Sequence, residues 1–196
     1  MYSTPPAKPF SIIDADLWSP GSVQSPFANY YILICMEELT GFVYVVPVPD
    51  TLSSTIAKHF MEFLLRFGLC SLVIVDADNR FLVNFCHMCA ALNLTLAPLL
   101  KHNHPAMRVE RFNHFLSKVV SIVTSDRGSA TVFKEAAFVA SYAWNPAPIH
   151  GTDIVCSFPA IGRILRFLID CDPSLVVPVD DPSLAITQFL ALSQST

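Results

Sequence analysis

The sequence predicts an α/β domain built from a mixed five-stranded sheet flanked by helices. The chain has 196 residues, of which 53% are hydrophobic and 14% charged, so it can bury one sizeable core. Five short β-rich runs occur along it, and stretches with helical spacing of apolar residues alternate with them from Thr51 onward. Three strands precede the first helix, which favours an antiparallel meander joined to strand-helix units.

The strands are predicted from apolar, β-branched runs that end at turn residues. They span Pro9–Trp18, Tyr30–Met36, Gly41–Val48, Leu72–Val75 and Leu94–Ala97. The helices are predicted over Thr51–Phe67, over Phe81–Leu92, from about Pro105 onward, and over Ala130–Trp144. We therefore expect a tail over residues 1–8, a core over 9–145, and an extension or linker over 146–196, where prolines are frequent.

No apolar run approaches the roughly 18 to 20 residues that a bilayer-spanning helix needs, so we expect no membrane segment. The six cysteines lack the spacing of a small disulfide-rich domain and predict reduced thiols in an intracellular protein.

The net charge of -4 is unusual for a protein that handles DNA, but the charge is unevenly distributed. After Leu168 there are four acidic residues and no Lys or Arg, which leaves the rest of the chain neutral. Between Lys101 and Lys118 the only acid is Glu110, set among basic residues and histidines. This pattern is typical either of a basic face around a metal-binding carboxylate or of an ordinary solvated helix.

Four carboxylates are candidate metal ligands. Asp14 and Asp16 are two residues apart on the first predicted strand and should share one face, although either could cap a strand end in water. Asp76 follows four apolar residues at the carboxyl end of a buried strand, where ligands usually bind in α/β sheets. Glu110 lies beside Arg111, and considered alone it is more typical of a surface ion pair than of a metal ligand. Two or three carboxylates from separate elements suffice for a hard divalent ion such as Mg²⁺.

Several segments, in this order, resemble one family. They are PFSIIDADLWSPG, YYILICMEELTGFVYVVPV, LVIVDADNRF, HNHPAMRVERFNHFLSKVV and YAWNPAPIHGTDI. Over about Pro9 to Ile169 the chain resembles the integrase core of copia-type retrotransposons and, more distantly, of retroviruses. The family's first aspartate precedes a hydrophobic-aromatic pair, as Asp16 precedes Leu17-Trp18, and its glutamate lies in a Val-Glu-Arg segment, as Glu110 does here.

This resemblance implies a ribonuclease H-like fold and a metal-dependent polynucleotidyl transferase. Asp16, Asp76 and Glu110 would be the catalytic residues and would ligate two Mg²⁺ or Mn²⁺ ions, with Asp16 bridging both. The implied reactions are processing of the element's DNA ends and strand transfer into target DNA, in the nucleus. A homo-oligomer is also implied.

Five basic side chains near Glu110 are candidates for DNA contact. His114 and Lys118 lie one and about two turns beyond Glu110 on the same helix face, where they could hold phosphate. A surface role unrelated to DNA is as compatible with each. The full candidate set is Lys101, Arg108, Arg111, His114 and Lys118.

The sequence leaves three alternatives open. Ala77 to Phe81 and Glu37-Glu38-Leu39 depart from the family pattern, which is compatible with a catalytically inactive interaction domain. The Asp76-Ala77-Asp78 segment also resembles the manganese-diphosphate motif of nucleotide-sugar transferases. Cys86 and Cys89, with His102 and His104, have spacing compatible with zinc, although both cysteines on one helix face favour core packing.

Overall fold

The computed structural model of the chain describes residues 8–20, 31–81, 83–99, 107–127, 130–149, 153–162 and 165. Its strands, in chain order, are β1 (Ile12–Trp18), β2 (Tyr31–Glu37), β3 (Val43–Val48), β4 (Leu72–Asp76) and β5 (Thr95–Leu99). They form a five-stranded sheet in the order β3-β2-β1-β4-β5. The predicted strands are confirmed, with ends shifted by at most three residues.

The sheet is mixed. β2 runs antiparallel to both β1 and β3, whereas β4 runs parallel to both β1 and β5. Each edge strand contains a proline, Pro47 in β3 and Pro98 in β5. Edge strands tolerate proline because only one side of each needs hydrogen bonds from the sheet.

Five α-helices are described. They are α1 (Ser53–Phe67), α2 (Asn84–Ala91), α3 (Met107–Arg127), α4 (Ala130–Trp144) and α5 (Ser157–Ile161). The predicted bounds of α4 are confirmed, and α1 ends at Phe67 as predicted, followed by Gly68 with φ 95°. A helix within the predicted span Phe81–Leu92 is confirmed, but α2 begins only at Asn84. A 3-10 turn (Asn79–Phe81) comes first, and Val83, with φ 55°, separates it from α2 because a helix cannot pass through positive φ.

Strand alternation divides the core into two layers. Ile13, Ala15 and Leu17 of β1 pack with α1 and α2 on one face of the sheet. On the other face, α3 and α4 pack over β2 and β3, with Trp18 of β1 against them. Because side chains alternate along a strand, Asp14 and Asp16 share one face, as predicted, and this is the face on the α3 side.

The end of α4 is fastened to the turn between β2 and β3. Asn145 accepts a hydrogen bond from the Val43 N–H over 2.8 Å and donates its amide to the Val43 carbonyl over 2.9 Å. Trp144 Nε1 donates to the Gly41 carbonyl over 3.1 Å. These bonds fix α4, and with it α3, against the sheet.

None of the described helices is long and apolar enough to cross a membrane. After Asn145, the backbone N–H of Cys156 donates to the Ala147 carbonyl, and Cys156 itself is buried. Residues 166–196, which make up most of the predicted extension, lie outside the described residues.

Candidate active site

The first carboxylate of the site, Asp16, lies near the end of β1 and is held on both oxygens. Its Oδ1 accepts a hydrogen bond from the Leu17 N–H and its Oδ2 accepts one from Asn113 Nδ2, each over 2.7 Å. Asn113 belongs to α3, so this contact joins the first strand to the helix that carries Glu110. The orientation of the Asp16 carboxylate is therefore set before any ligand arrives.

Asp76 ends β4, the parallel neighbour of β1. Asp16 and Asp76 each follow the Ala15–Val75 register pair by one residue, so the two aspartates lie side by side at one edge of the sheet. The Asp76 side chain is exposed, unlike the four residues before it. This is the carboxyl end of a parallel pair of strands, where ligands bind in α/β sheets.

Glu110 reaches the same edge of the sheet from α3. It lies in the first described turn of α3 and is exposed, whereas its neighbour Val109 is buried. The described part of α3 begins at Met107, so Pro105, the predicted helix start, lies outside it. One pocket of about 70 Å³ is lined by Asp14, Asp16, Asp76 and Glu110, together with Ala15, Val75 and Val109. Carboxylates distant in sequence thus meet at one place.

Asp14 is the buried member of this group. Only 7% of it is exposed, and burial raises the pKa of its carboxyl to about 8, with further increases from the charges of Glu38, Asp16 and Asp76. Glu38 lies in the turn after β2, and burial raises its pKa too, while the Arg108 guanidinium lowers it. The neighbouring acidic side chains therefore disfavour the charged form of Asp14.

The donor set suits a hard divalent cation, since each candidate ligand is a carboxylate oxygen. As they stand, no three His, Cys, Asp or Glu side chains among the described residues are placed to ligate one ion. Like charges repel at short range when no cation lies between them. Binding an ion would require the carboxylates of the pocket to come closer together than they stand.

Arg80 brings a positive charge to this edge of the sheet. Its Nη2 donates to Asp78 Oδ2 over 2.6 Å, and its backbone N–H donates to Asp78 Oδ1 over 2.9 Å. The hydrogen bond to Asp78, and beyond it the charges of Asp78, Asp16 and Asp76, raise the pKa of the Arg80 guanidinium. Asp78 therefore stabilises a turn and an ion pair, and it does not line the pocket with Asp76 and Glu110.

The predicted DNA-contact residues differ in their surroundings. Arg111, His114 and Lys118 are exposed on α3. Arg108 is half-buried, and its Nη1 donates to the Glu38 carbonyl over 2.6 Å, so it also braces the turn between β2 and β3. Lys101 lies outside the described residues.

The cysteine pair lies beside the site. Cys86 and Cys89 line a second cavity, of about 360 Å³, which shares Val75 and Asp76 with the first. Cys89 is 1% exposed and packs in the core with α1, which favours the packing interpretation over zinc. His102 and His104 lie outside the described residues.

Sequence reasoning missed three supporting residues. Asn113, Asn145 and Arg80 are polar side chains whose partners are set by the tertiary fold or a local turn. Asn145 follows Trp144 in one of the segments that carry the family resemblance, and this was the one available signal. Nothing in the sequence near Asn113 indicates that it contacts Asp16, 97 positions away.

Solved structures share this arrangement of strands and helices. A chain of the simian T-cell lymphotropic virus intasome matches with a TM-score of 0.65 and 18% identity, over 83% of this chain and 58% of that one. The HTLV-2 integrase catalytic core domain in complex with magnesium matches with a TM-score of 0.63 and 15% identity, over 79% of this chain and 98% of that one. The BIV integrase catalytic core domain matches with a TM-score of 0.56 and 17% identity, over 69% of this chain and 84% of that one.

The fold is that of a retroviral integrase catalytic core.

This integrase-core fold confirms the predicted ribonuclease H-like class. At these identities the likeness concerns the fold alone. No protein-family model matches the chain, and no curated protein does. The HTLV-2 core has been solved with magnesium in trimeric and dimeric forms.

Proposed function

We propose that this chain is the catalytic core of a copia-type retrotransposon integrase, a metal-dependent polynucleotidyl transferase. The observation that supports this most is the single pocket lined by Asp16, Asp76 and Glu110, which come from β1, β4 and α3. The integrase-core fold supports the broader superfamily. The Asp16-Leu17-Trp18 and Val109-Glu110-Arg111 segments favour the copia-type class.

Asp16, Asp76 and Glu110 would hold two Mg²⁺ or Mn²⁺ ions. Ions bound in this way activate the attacking oxygen and stabilise the leaving oxygen of a phosphodiester. The preset orientation of Asp16 by Asn113 and the Leu17 N–H lowers the cost of assembling the site. The exposed Asp76 and Glu110 would complete the metal site from the other side of the pocket.

The reaction needs no protein nucleophile. In end processing, water attacks a phosphodiester near the 3′ end of the element DNA, which releases a short fragment and leaves a 3′ hydroxyl. In strand transfer, this hydroxyl attacks a target phosphodiester. A new bond forms between phosphorus and the attacking oxygen, the bond to the target strand's own 3′ oxygen breaks, and the proton passes to solvent.

DNA would lie along the exposed side of α3. Arg111, His114 and Lys118 project there beyond Glu110, and cationic side chains hold phosphate. Lys101 and Arg108 belong to the same proposed surface, although one nitrogen of Arg108 already binds the Glu38 carbonyl. The function also implies a homo-oligomer and work in the nucleus.

End-nicking and strand-transfer assays with Mg²⁺ or Mn²⁺ test this function. The parent chain should cut and join labelled element-end DNA, and Asp76→Asn should reduce both activities by at least about a hundredfold because it removes a charged ligand. Glu135→Gln is the matched control. It removes one carboxylate from the exposed surface of α4 and should leave both activities unchanged.

Equal activity of the parent and Asp76→Asn would remove the proposed mechanism. A folded parent that binds DNA but neither cuts nor joins it would favour the inactive interaction domain. Mn²⁺-dependent binding of a nucleotide sugar without binding of branched DNA would favour the transferase. The ion pair of Asp78 with Arg80 weighs against that last function, because it occupies the second aspartate of the motif.

A further inference from the structure

We propose that Asp14 is a fourth carboxylate ligand of the metal site, in addition to Asp16, Asp76 and Glu110. This inference rests on the proposed function, since it concerns the same pocket. It adds a residue that neither the integrase resemblance nor the three-carboxylate pattern supplies.

Asp14 lines the same pocket as the three proposed ligands. Asp14 and Asp16 alternate with the buried Ala15 on β1, so both side chains face α3, and both line the 70 Å³ pocket. Asp76 and Glu110 are exposed at the mouth of the pocket, whereas Asp14 is more than nine-tenths buried and lies deeper. A cation held between Asp16 and Asp76 would therefore have Asp14 on its protein side.

Asp14 also has apolar neighbours across the sheet. Across the sheet, Asp14 lies between Met36 and Ile74, two apolar residues. Among the described residues, no hydrogen bond reaches either of its carboxyl oxygens. Buried polar groups in proteins are nearly always hydrogen-bonded or bound to metal, and the pocket that Asp14 lines leaves room for such a partner.

The charged groups that act on Asp14 also favour a cation in the pocket. The groups that act on Asp14 are Glu38, Asp16 and Asp76, all acidic. The nearby Arg108 guanidinium lowers the pKa of Glu38 and donates a hydrogen bond to the Glu38 backbone carbonyl. A divalent cation in the pocket would offset Asp14, Asp16 and Asp76 together, which a single hydrogen-bond donor cannot do.

Metal binding to the full chain tests this proposal without an activity assay. Mn²⁺ would be titrated calorimetrically into the parent, Asp14→Asn, Asp16→Asn and Glu38→Gln. Asp14→Asn should weaken Mn²⁺ binding at least about tenfold. Glu38→Gln is the matched control, because it removes a neighbouring negative charge that does not line the pocket, and it should change affinity less than about threefold.

Counting the water on the bound ion separates a ligand from a distant charge. Tb³⁺ can replace the divalent ion, and its luminescence lifetimes in H₂O and D₂O report the bound waters. Asp14→Ala should add about one water to the ion, because water fills a lost ligand position. Glu38→Gln should add none. Circular dichroism checks that each variant is folded.

The outcomes separate this proposal from the function on which it rests. If Asp16→Asn loses Mn²⁺ while the folded Asp14→Asn binds as the parent does, Asp14 is a structural acid and only this inference fails. If the parent itself binds no Mn²⁺, both the inference and the metal-dependent function fail.

Discussion

The side-chain amide of Asn113 on α3 donates a hydrogen bond to Oδ2 of Asp16 on β1 over 2.7 Å. This bond joins the two elements that bring Glu110 and Asp16 together. Hydrogen bonds to charged groups contribute about 1.5 to 3 kcal/mol, so it can hold the carboxylate in one orientation.

Replacing Asn113 by alanine should therefore lower the strand-transfer rate about tenfold, equivalent to about 1.4 kcal/mol, because Asp16 loses its fixed orientation. Single-turnover kinetics at saturating Mg²⁺ would measure this. Ser117→Ala is the control. It lies one turn further along α3, its hydroxyl accepts from Trp18 Nε1 over 3.2 Å, and it touches no carboxylate of the pocket. A loss as large in Ser117→Ala would assign the effect to helix packing.

Removing the charge of Arg80 should tighten Mn²⁺ binding. Arg80 interacts with Asp16 and Asp76 and competes electrostatically with an incoming cation. Partly exposed ion pairs contribute about 0.2 to 1 kcal/mol, so Arg80→Gln should raise affinity by up to about fivefold. Calorimetry would detect this. The control is Arg66→Gln, whose guanidinium lies over the Tyr44 ring 5.7 Å from its centroid. Weaker Mn²⁺ binding in Arg80→Gln would show that Arg80 supports the site.

Loss of the Asn145 side chain should destabilise the fold. Asn145→Ala leaves the Val43 N–H and carbonyl without their partner in a buried position. An unsatisfied buried backbone group costs about 1 to 3 kcal/mol, so we expect a loss of about 2 to 4 kcal/mol in the free energy of unfolding by urea. Ser141→Ala, one turn earlier on α4, should stay within about 0.5 kcal/mol. Equal stability of the parent and Asn145→Ala would contradict this account of how α4 is fastened.

Two core thiols should react slowly at neutral pH. Burial raises the pKa of Cys70 to about 11 and that of Cys89 to about 12, and only the thiolate is nucleophilic. Iodoacetamide labelling of both in the folded chain should therefore rise about tenfold per pH unit from pH 7 to 10. Peptide mapping by mass spectrometry would measure each site separately. In urea both should label at ordinary thiol rates. Fast labelling of Cys89 at pH 7 in the folded chain would mean that this residue is not in the core.

The sequence predicted features that depend on short-range pattern. The period of two in β1 placed Asp14 and Asp16 on one face, and the predicted end of α4 at Trp144 is the observed one. Contacts between distant segments were beyond it. The register that sets Asp16 beside Asp76 follows from the parallel pairing of β1 with β4.

The residues that support the site were harder to predict than the carboxylates. An asparagine three positions after Glu110 is typical of any solvated helix, and only the packing of α3 on the sheet gives Asn113 its partner. The break at Val83 was missed because no glycine or proline marks it. Basic residues near Glu110 were predicted as one set, but Arg108 turns inward to a carbonyl, which depends on where the β2–β3 turn ends.

The fastening of Val43 by Asn145 also affects how this chain can meet its own copies. The N–H and C=O groups of Val43 point away from β2 and bond to Asn145. Because backbone groups alternate in direction along a strand, those of Val45 and Pro47 also point away from β2, toward the open edge of the sheet. Asn145 already binds the backbone groups of Val43, and Pro47 has no N–H to donate. An incoming strand would find a donor only at Val45, which disfavours the sheet extension through which exposed edges nucleate fibrillar aggregates.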